Sequence, residues 1–289
     1  MRNLNYDFKN ICRRNRDGSF ATQADRSRLL DLMAKQLHEM RPGDLRAHNL
    51  KPRHIDMLVK RWQSEGLSAG TLKNRMTALR WLVEKLGKQN IVQRSNAAYA
   101  IPDRVYVTNV SKAKVLDAGK LETLADPFAM LSLRFQALFG LRREESIKII
   151  PAWADRADRL LLKASWTKGG REREIPVRTL EQRKLIDEAK VLADGKSLVA
   201  PGYSTYRDYL AHFRYVCERA GIHQVHGHRH YYAQGRYREL TGWACPACGG
   251  PRAKQLSATQ RTIDRDVRVR ISHELGHGRE QITAVYLGR

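Results

Sequence analysis

The sequence has no long run of apolar residues, few cysteines and fewer acidic residues than basic ones. No apolar stretch of the 289-residue chain is long enough to cross a bilayer, and the N-terminus lacks the apolar segment of a secretory signal peptide. The four cysteines, Cys12, Cys217, Cys245 and Cys248, are scattered and lack the spacing of a disulfide framework. These absences argue against a membrane-spanning or disulfide-rich secreted protein and predict a cytoplasmic location.

The chain is strongly basic, with 53 Lys and Arg against 30 Asp and Glu and a formal net charge of +23. A folded protein of this charge attracts polyanions, of which nucleic acid is the most common. A membrane partner is not expected, because no basic amphipathic segment stands out. The length and the 42% of hydrophobic residues are sufficient for two domains with their own cores.

The N-terminal part predicts an irregular arm followed by three helices. Residues 1–20 are polar and charged and favour the arm. The first helix is predicted from about Thr22, with Thr22 and Asp25 as its N-terminal cap. The second helix begins at Pro52 and the third near Ser68. Opposite its apolar face, the third helix carries four cations that either form a solvated surface or contact the DNA backbone: Lys73, Arg75, Arg80 and Lys85.

Helical periodicity is lost after residue 88, and we predict a domain of residues 1–100, a linker of residues 101–114 and a second domain of residues 115–289. The second domain combines helices with one β-hairpin, whose turn carries Lys168. The predicted fold class is therefore mainly α with a small β-hairpin. The predicted strands are 159–166 and 171–177, and the main helices are 118–125, 127–139, 180–193, 205–220 and one that follows the turn in 225–237.

Five short motifs follow one another in the second domain, and each alone has an ordinary structural explanation. They are GLRREE with Arg142, the hairpin turn TKGG with Lys168, HGHRH from His226 to His230, LGH ending at His277, and Tyr286 nine residues later. In this order they resemble the motif set of the tyrosine recombinase, or phage integrase, family. The resemblance covers the whole second domain, and the N-terminal helices resemble the family's core-binding (SAM-like) domain more loosely.

The resemblance implies a site-specific recombinase in which Tyr286 attacks a DNA phosphate. The attack gives a 3′-phosphotyrosyl link and a free 5′-hydroxyl, and strands are exchanged through a Holliday junction held by four protomers. An accessory directionality factor is a further expected partner, and the enzyme is expected to be bacterial or phage-encoded and nucleoid-associated when bound. The resemblance assigns catalytic roles to Arg142, Lys168, His226, Arg229, His277 and Tyr286, and supporting roles to Glu145 and His230.

These residue types also suit cleavage of a phosphodiester without a metal or other cofactor. A tyrosine with a pKa of about 10 is only ~0.1% ionised at pH 7 and needs a base, for which His226 is the candidate. Arg142 and Arg229 supply permanently charged, bidentate donors to the phosphate oxygens. Lys168 is the candidate acid for the departing 5′-hydroxyl, and His277 a donor to the phosphate.

The sequence departs from the family between the second and third motifs. The interval from His226 to His277 is longer than usual and contains CPACGG. Cys245 and Cys248 in this segment resemble half of a zinc knuckle, with Cys217 and His223 or His228 as candidate further ligands. The alternative is an inserted loop with free thiols. Only three residues follow Tyr286, whereas family members commonly continue into a tail that docks on a neighbouring protomer.

Two other functions remain open at this point. A type IB topoisomerase shares the chemistry, although the separate N-terminal helical domain and the motif spacing favour a recombinase. A catalytically silent DNA-binding protein on the same fold is expected to have lost at least one of the six catalytic residues, and all six are present.

Overall fold

The computed structural model describes residues 3–277 and 279–289. The chain divides into two compact units, Met1–Val105 and Tyr106–Arg289, and the division falls inside the predicted linker. The later part of that linker bonds to the second unit. Ser111 Oγ donates to Gln234 Oε1 over 2.9 Å, and the Lys114 amide donates to the Gly227 carbonyl over 3.1 Å.

The first unit is helical and encloses a core around Trp62, whose indole nitrogen donates to the buried Gln36 over 2.9 Å. Pro52 begins the predicted second helix, which is the third in the structure, and the Ser68 side chain caps the fourth. The helices are α1 (Asn3–Arg14), α2 (Phe20–Met40), α3 (Pro52–Ser64) and α4 (Ala69–Lys85).

The predicted irregular arm was wrong, because residues 3–14 form α1. Leu4 and Phe8 are one helical turn apart and are both buried in the core of the first unit. The predicted cap of the next helix was also misplaced. Its N-cap is Ser19, whose hydroxyl accepts from the Thr22 amide over 3.2 Å.

The second unit is also mainly helical and contains a two-stranded antiparallel sheet, which confirms the predicted fold class. No helix within the described residues is long and apolar enough to span a membrane. The elements are α5 (Ala118–Glu122), α6 (Pro127–Phe139), α7 (Arg143–Lys148), α8 (Pro151–Ala154), β1 (Arg159–Leu162), β2 (Arg173–Pro176), α9 (Leu180–Ala193), α10 (Tyr206–Arg219), α11 (His226–Thr241), α12 (Ala258–Glu274) and α13 (Glu280–Leu287).

The strands are shorter than predicted, because a 3₁₀ turn at Ala164–Trp166 ends the first one early. The register runs from Arg159 opposite Pro176 to Leu162 opposite Arg173. Lys168 lies in the connection between the strands, as predicted. The inward side of this hairpin joins the larger core of the second unit, which also includes Tyr286 and Leu275.

Candidate active site

Tyr286 lies on α13, with its hydroxyl between a histidine and an arginine. Tyr286 Oη is 3.2 Å from Nε2 of His226 and accepts a hydrogen bond from Arg229 Nε over 3.3 Å. His226 is the first residue of α11, and Arg229 follows it by three residues on the same helix. A proton acceptor and a permanent positive charge therefore both reach the phenolic oxygen.

Arg229 is fully buried and holds three segments of the site together. It donates to the carbonyl of Gly140 before α7 and to the carbonyl of Leu275 at the end of α12, in addition to Tyr286. Its Nη2 also lies 3.3 Å from Nε2 of His277. Burial, followed by the charge of Arg142, lowers the pKa of Arg229 to about 10, so that the group remains protonated at neutral pH.

Glu145 organises the arginines on the other side of the site. Its buried carboxylate accepts from Arg142 Nη1 over 2.6 Å and from both terminal nitrogens of Arg173 over 2.9 and 2.6 Å. Burial alone raises the pKa of Glu145, but Arg173, Arg229 and Arg142 together lower it to about 2. The carboxylate therefore stays charged and fixes the guanidinium of Arg142, whose side chain is 21% exposed.

Arg173 was not among the predicted site residues, although the structure places it at the centre of this network. Its Nε donates to the Glu274 carbonyl over 3.0 Å, which connects β2 to the end of α12. On β2, Arg173 and Ile175 point inward while Glu174 is exposed. Side chains alternate between the two faces of a strand, so Arg173 lies on the same face as the apolar Ile175 two residues later. This alternation in the sequence could have identified Arg173 as an inward-facing residue.

The three histidines around Tyr286 are held in their neutral forms. Partial burial and the charges of Arg229 and Arg142 lower the pKa of His226, although its ring remains partly exposed. Burial and neighbouring positive charges lower the pKa of His230 to about 4 and that of His277 to about 3. The His230 ring lies against Tyr286 with a centroid separation of 4.4 Å, and the His277 ring stacks on Tyr286 at 5.3 Å.

The neutral form of His277 has a defined tautomer in this arrangement. Arginine can only donate, so Nε2 of His277 accepts from Arg229 and its proton lies on Nδ1. Nδ1 is 3.3 Å from the Thr283 hydroxyl on α13, which can accept that proton. Gly278, which follows His277, lies outside the described residues.

Lys168 opens onto the same cleft as Arg142 and His226. Its side chain is exposed in the turn between β1 and β2, whereas Glu145 lies at the buried end of the cleft. Tyr286 and four of the other predicted catalytic residues therefore lie together in this site, and Lys168 lies at the rim. The two predicted supporting residues, Glu145 and His230, also lie in this site.

The four predicted DNA-contacting cations do not share one exposed face of α4. Arg75 is only 11% exposed and lies over the Trp62 ring at 5.1 Å. Lys73 pairs with Asp103 over 2.6 Å, and Arg80 donates to the Gln93 carbonyl over 3.2 and 3.1 Å. Lys85 is 6.0 Å from the Trp81 ring. Arg75 therefore does not lie on a solvated face, and the contacts of these four cations with DNA remain a prediction.

The zinc site predicted at Cys245 and Cys248 is not supported. Within residues 3–277 and 279–289, no group of three or more His, Cys, Asp or Glu side chains is arranged to hold a metal ion. Cys217, a candidate third ligand, belongs to the core around Tyr209, whereas Cys245 belongs to the core that includes Tyr286. A structural zinc ion requires four ligands, and the CPAC turn supplies two.

Comparison with known proteins places this chain in a family. A model described as phage integrase, N-terminal, matches residues 1–92, and a model described as integrase matches residues 92–235. No curated protein sequence matches the chain.

Several solved structures share the fold at low sequence identity. A lambda integrase dimer bound to a COC′ core site aligns with a TM-score of 0.64 and 13% identity, covering 99% of this chain and 78% of that one. XerH recombinase in a post-cleavage complex with a palindromic difH substrate aligns with a TM-score of 0.57 and 15% identity, covering 99% of this chain and 81% of that one. The Tn1549 transposon integrase in complex with circular intermediate DNA aligns with a TM-score of 0.54 and 15% identity, covering 100% of this chain and 96% of that one.

The two family models together match residues 1–235 without a gap, and the fold agrees with them over the whole chain. The chain therefore belongs to the tyrosine recombinase family, whose members break and rejoin DNA at specific sites.

Proposed function

We propose that this recombinase cuts one DNA strand with Tyr286 and remains attached to the 3′ phosphate. The observation that carries the proposal is the position of Tyr286 Oη between His226 Nε2 and Arg229 Nε, at 3.2 and 3.3 Å. His226 takes the phenolic proton as the oxygen attacks, and the lowered pKa of His226 keeps its ring able to accept that proton at neutral pH. Arg229 stabilises the developing negative charge.

The phosphate group is bound by Arg229 together with the other polar and cationic side chains of the site. Arg142, held by Glu145 and partly exposed, and Arg229 neutralise the non-bridging oxygens. His277 becomes a donor in the complex, because a phosphate anion beside it favours the charged imidazolium and raises its pKa. Lys168 protonates the departing 5′-oxygen from the exposed hairpin turn, where its side chain can follow the substrate.

The covalent link conserves the energy of the broken bond, so that a 5′-hydroxyl from a partner duplex can reverse the reaction. Tyrosine recombinases need no cofactor for this chemistry. We expect four protomers to act on two DNA sites through a Holliday junction. A lambda integrase tetramer bound to a Holliday junction aligns with this chain at a TM-score of 0.60 and supports this arrangement. We also propose an accessory directionality factor and action on DNA in the cytoplasm.

The proposal is tested by trapping the covalent intermediate. A set of overlapping duplexes covers the DNA that flanks the protein's gene. Each duplex carries a nick near a candidate cleavage position, so that the short fragment with the 5′-hydroxyl diffuses away after cleavage. The expected product is a denaturation-resistant adduct on Tyr286, located by peptide sequencing, at the 3′ phosphate of one position. Tyr286→Phe should bind the same duplex with unchanged affinity and give no adduct. An adduct in that variant would contradict the assignment of the nucleophile.

A second substrate tests the role of Lys168. Sulfur replaces the bridging 5′-oxygen at the mapped position, and a thiolate leaves without the help of an acid because a thiol has a pKa of about 8.5. Lys168→Ala should be inactive on the oxygen substrate and close to wild type on the sulfur substrate. Arg142→Ala, which removes a phosphate contact instead, should remain slow on both. Equal defects of Lys168→Ala on both substrates would overturn its role as the acid.

A further inference from the structure

The CPAC turn contains two cysteines placed within reach of each other. The Cys248 amide donates to the Cys245 carbonyl over 2.8 Å across the 3₁₀ turn Pro246–Cys248. Residues three apart in such a turn have Cα atoms closer than about 7 Å, and a disulfide requires roughly 4.4–6.8 Å. Cys248 is exposed and Cys245 is buried behind it.

The exposed thiol is connected to the main chain of Tyr286 through one side chain, Gln234 on α11. Cys248 Sγ donates to Gln234 Oε1 over 3.0 Å, and Gln234 Nε2 donates to the Tyr286 carbonyl over 3.0 Å. Ser111 Oγ donates to the same Oε1 over 2.9 Å. Because the amide of Gln234 is fixed by all three partners, a change at Cys248 alters the hydrogen bond that holds the nucleophile's backbone.

The residues between the two cysteines also touch the end of α13 directly. Gly288, which ends that helix, has φ +78°, and a Cβ there would lie 2.7 Å from the Ala247 nitrogen and 3.1 Å from Pro246 Cβ. The Gly288 carbonyl is held by Arg268 Nη1 over 2.9 Å. The turn is therefore the surface on which the end of the Tyr286 helix rests, and nothing as large as a methyl group fits between them.

We propose that Cys245 and Cys248 are a redox modification site whose disulfide form displaces Tyr286 and slows DNA cleavage. With hydrogen peroxide as oxidant, the exposed Cys248 thiol first gives a sulfenic acid and one water. The Cys245 sulfur then attacks the Cys248 sulfur, expelling the sulfenic oxygen, and its thiol proton leaves with that oxygen as a second water. Two thiols are oxidised to one disulfide, and one peroxide is reduced. Cytoplasmic disulfides of this reversible kind are typical of redox sensing.

Closing the disulfide changes both contacts with α13. Cys248 loses the S–H donor that it directs at Gln234, and the bond between the sulfurs tightens the turn on which Gly288 rests. Since the turn cannot move towards Gly288 without a clash, we expect α13 to shift or loosen at its C-terminal end. A displacement of about 1 Å at a nucleophile is sufficient to slow a reaction roughly 100-fold.

The site is tested first without DNA. Full-length protein is treated with hydrogen peroxide or with dithiothreitol, and peptide mass spectrometry measures the loss of two hydrogens from the peptide containing both cysteines. Hydrogen exchange then reports on the amides of residues 284–289. We expect the disulfide to form and exchange in this segment to become faster by a factor of about 10, consistent with local opening. Dithiothreitol should restore the original exchange.

Two variants separate this site from other thiols. Cys248→Ser keeps a hydroxyl donor for Gln234 and cannot form the disulfide. Its hydrogen exchange at residues 284–289 should therefore equal that of the reduced wild type, with or without peroxide. Cys12→Ser removes a cysteine of the first unit and should keep the full response. A response that persists in Cys248→Ser would overturn the proposal. So would a Cys245–Cys248 disulfide that leaves exchange unchanged, or a zinc ion found by elemental analysis on the two thiols.

The consequence for catalysis rests on the proposed role of Tyr286 and is measured separately. Single-turnover adduct formation on the trapped duplex should fall by about 10- to 100-fold in the oxidised protein, with DNA affinity unchanged. If exchange responds to peroxide while oxidised and reduced protein cleave at the same rate, the control of cleavage is contradicted. If the reduced protein forms no adduct on any duplex, the proposed function fails, and the exchange result still decides whether the thiol site exists.

Discussion

At the scale of single residues, the site depends on histidines whose pKa values lie below the ordinary value. The buried ring of His230 lies against Tyr286, and burial and the nearby cationic groups lower its pKa to about 4. An unfolded chain binds a proton at this histidine below about pH 6.5, whereas the folded chain does so only near pH 4. The unfolded state therefore holds more protons in this window, and stability must decrease as the pH falls through it.

We expect His230 alone to lower the free energy of unfolding by roughly 3 kcal/mol between about pH 6.5 and pH 4. The variant His230→Phe keeps an aromatic ring against Tyr286 and removes the titration. Urea unfolding at a series of pH values should show a shallower pH dependence for this variant. Identical slopes for wild type and His230→Phe would contradict the argument.

Arg173 is the residue that the structure adds to the site, and its contribution can be measured with a conservative change. Arg173→Lys keeps the charge but loses the paired hydrogen bonds to Glu145, so that Arg142 is held less firmly. We expect a loss of about 1–3 kcal/mol in stability and a reduction of roughly tenfold or more in single-turnover cleavage. Arg171→Lys, exposed on the same hairpin, should leave stability unchanged.

At the scale of elements, α1 shows where the sequence was misleading. Its composition is polar, and only Leu4 and Phe8, together with the partly buried Ile11 and Cys12, form the apolar stripe. Such a short stripe in a charged segment predicts an arm, because its burial depends on the surfaces of α2 and α4, which lie outside the segment. The N-terminal residues are therefore part of the first core.

The contribution of α1 is tested by removing one ring. Phe8→Ala should destabilise the first unit by about 3–5 kcal/mol, because the side chain is fully buried and leaves a cavity. Tyr6→Ala, on the exposed side of the same helix, should change stability by less than about 0.5 kcal/mol. Urea titration followed by peptide-resolved hydrogen exchange separates the two units. Equal effects of both variants would mean that α1 is not anchored in the core.

The position of the hairpin and two helices of the second unit were predicted more closely, because local sequence signals mark where these elements begin and end. Helices α6 and α9 have the predicted bounds because Pro127 and Thr179 begin them and Gly140 ends the first of them. The order of the motifs along the chain predicts Arg142, His226, Arg229, His277 and Tyr286 as one site, and the structure brings these side chains together. Their order could not identify the Arg173–Glu145 pair or the Gln234 bridge, because these contacts join elements that are far apart in sequence.

At the scale of the whole molecule, the net charge of +23 predicts a strong and salt-dependent attraction to DNA. Neutralising phosphates releases counterions, so affinity for the cognate duplex should fall by about 10³-fold or more between about 50 and 200 mM salt. The cleavage rate of the bound complex should change much less, because Glu145, Arg173 and Arg229 are buried and poorly screened. Binding titrations and single-turnover rates at several salt concentrations measure the two effects separately.

The same titrations distinguish the cations of α4, which differ in their surroundings. If Lys85 neutralises a phosphate, Lys85→Gln should reduce the slope of log affinity against log salt concentration by about one. Arg75 is buried against Trp62, so Arg75→Gln should leave the slope unchanged and instead reduce the stability of the first unit. A slope change for Arg75→Gln without loss of stability would mean that its guanidinium reaches DNA after all. Cations with the same formal charge therefore contribute differently to DNA binding, because the packing around each one sets whether its charged group is accessible to a phosphate.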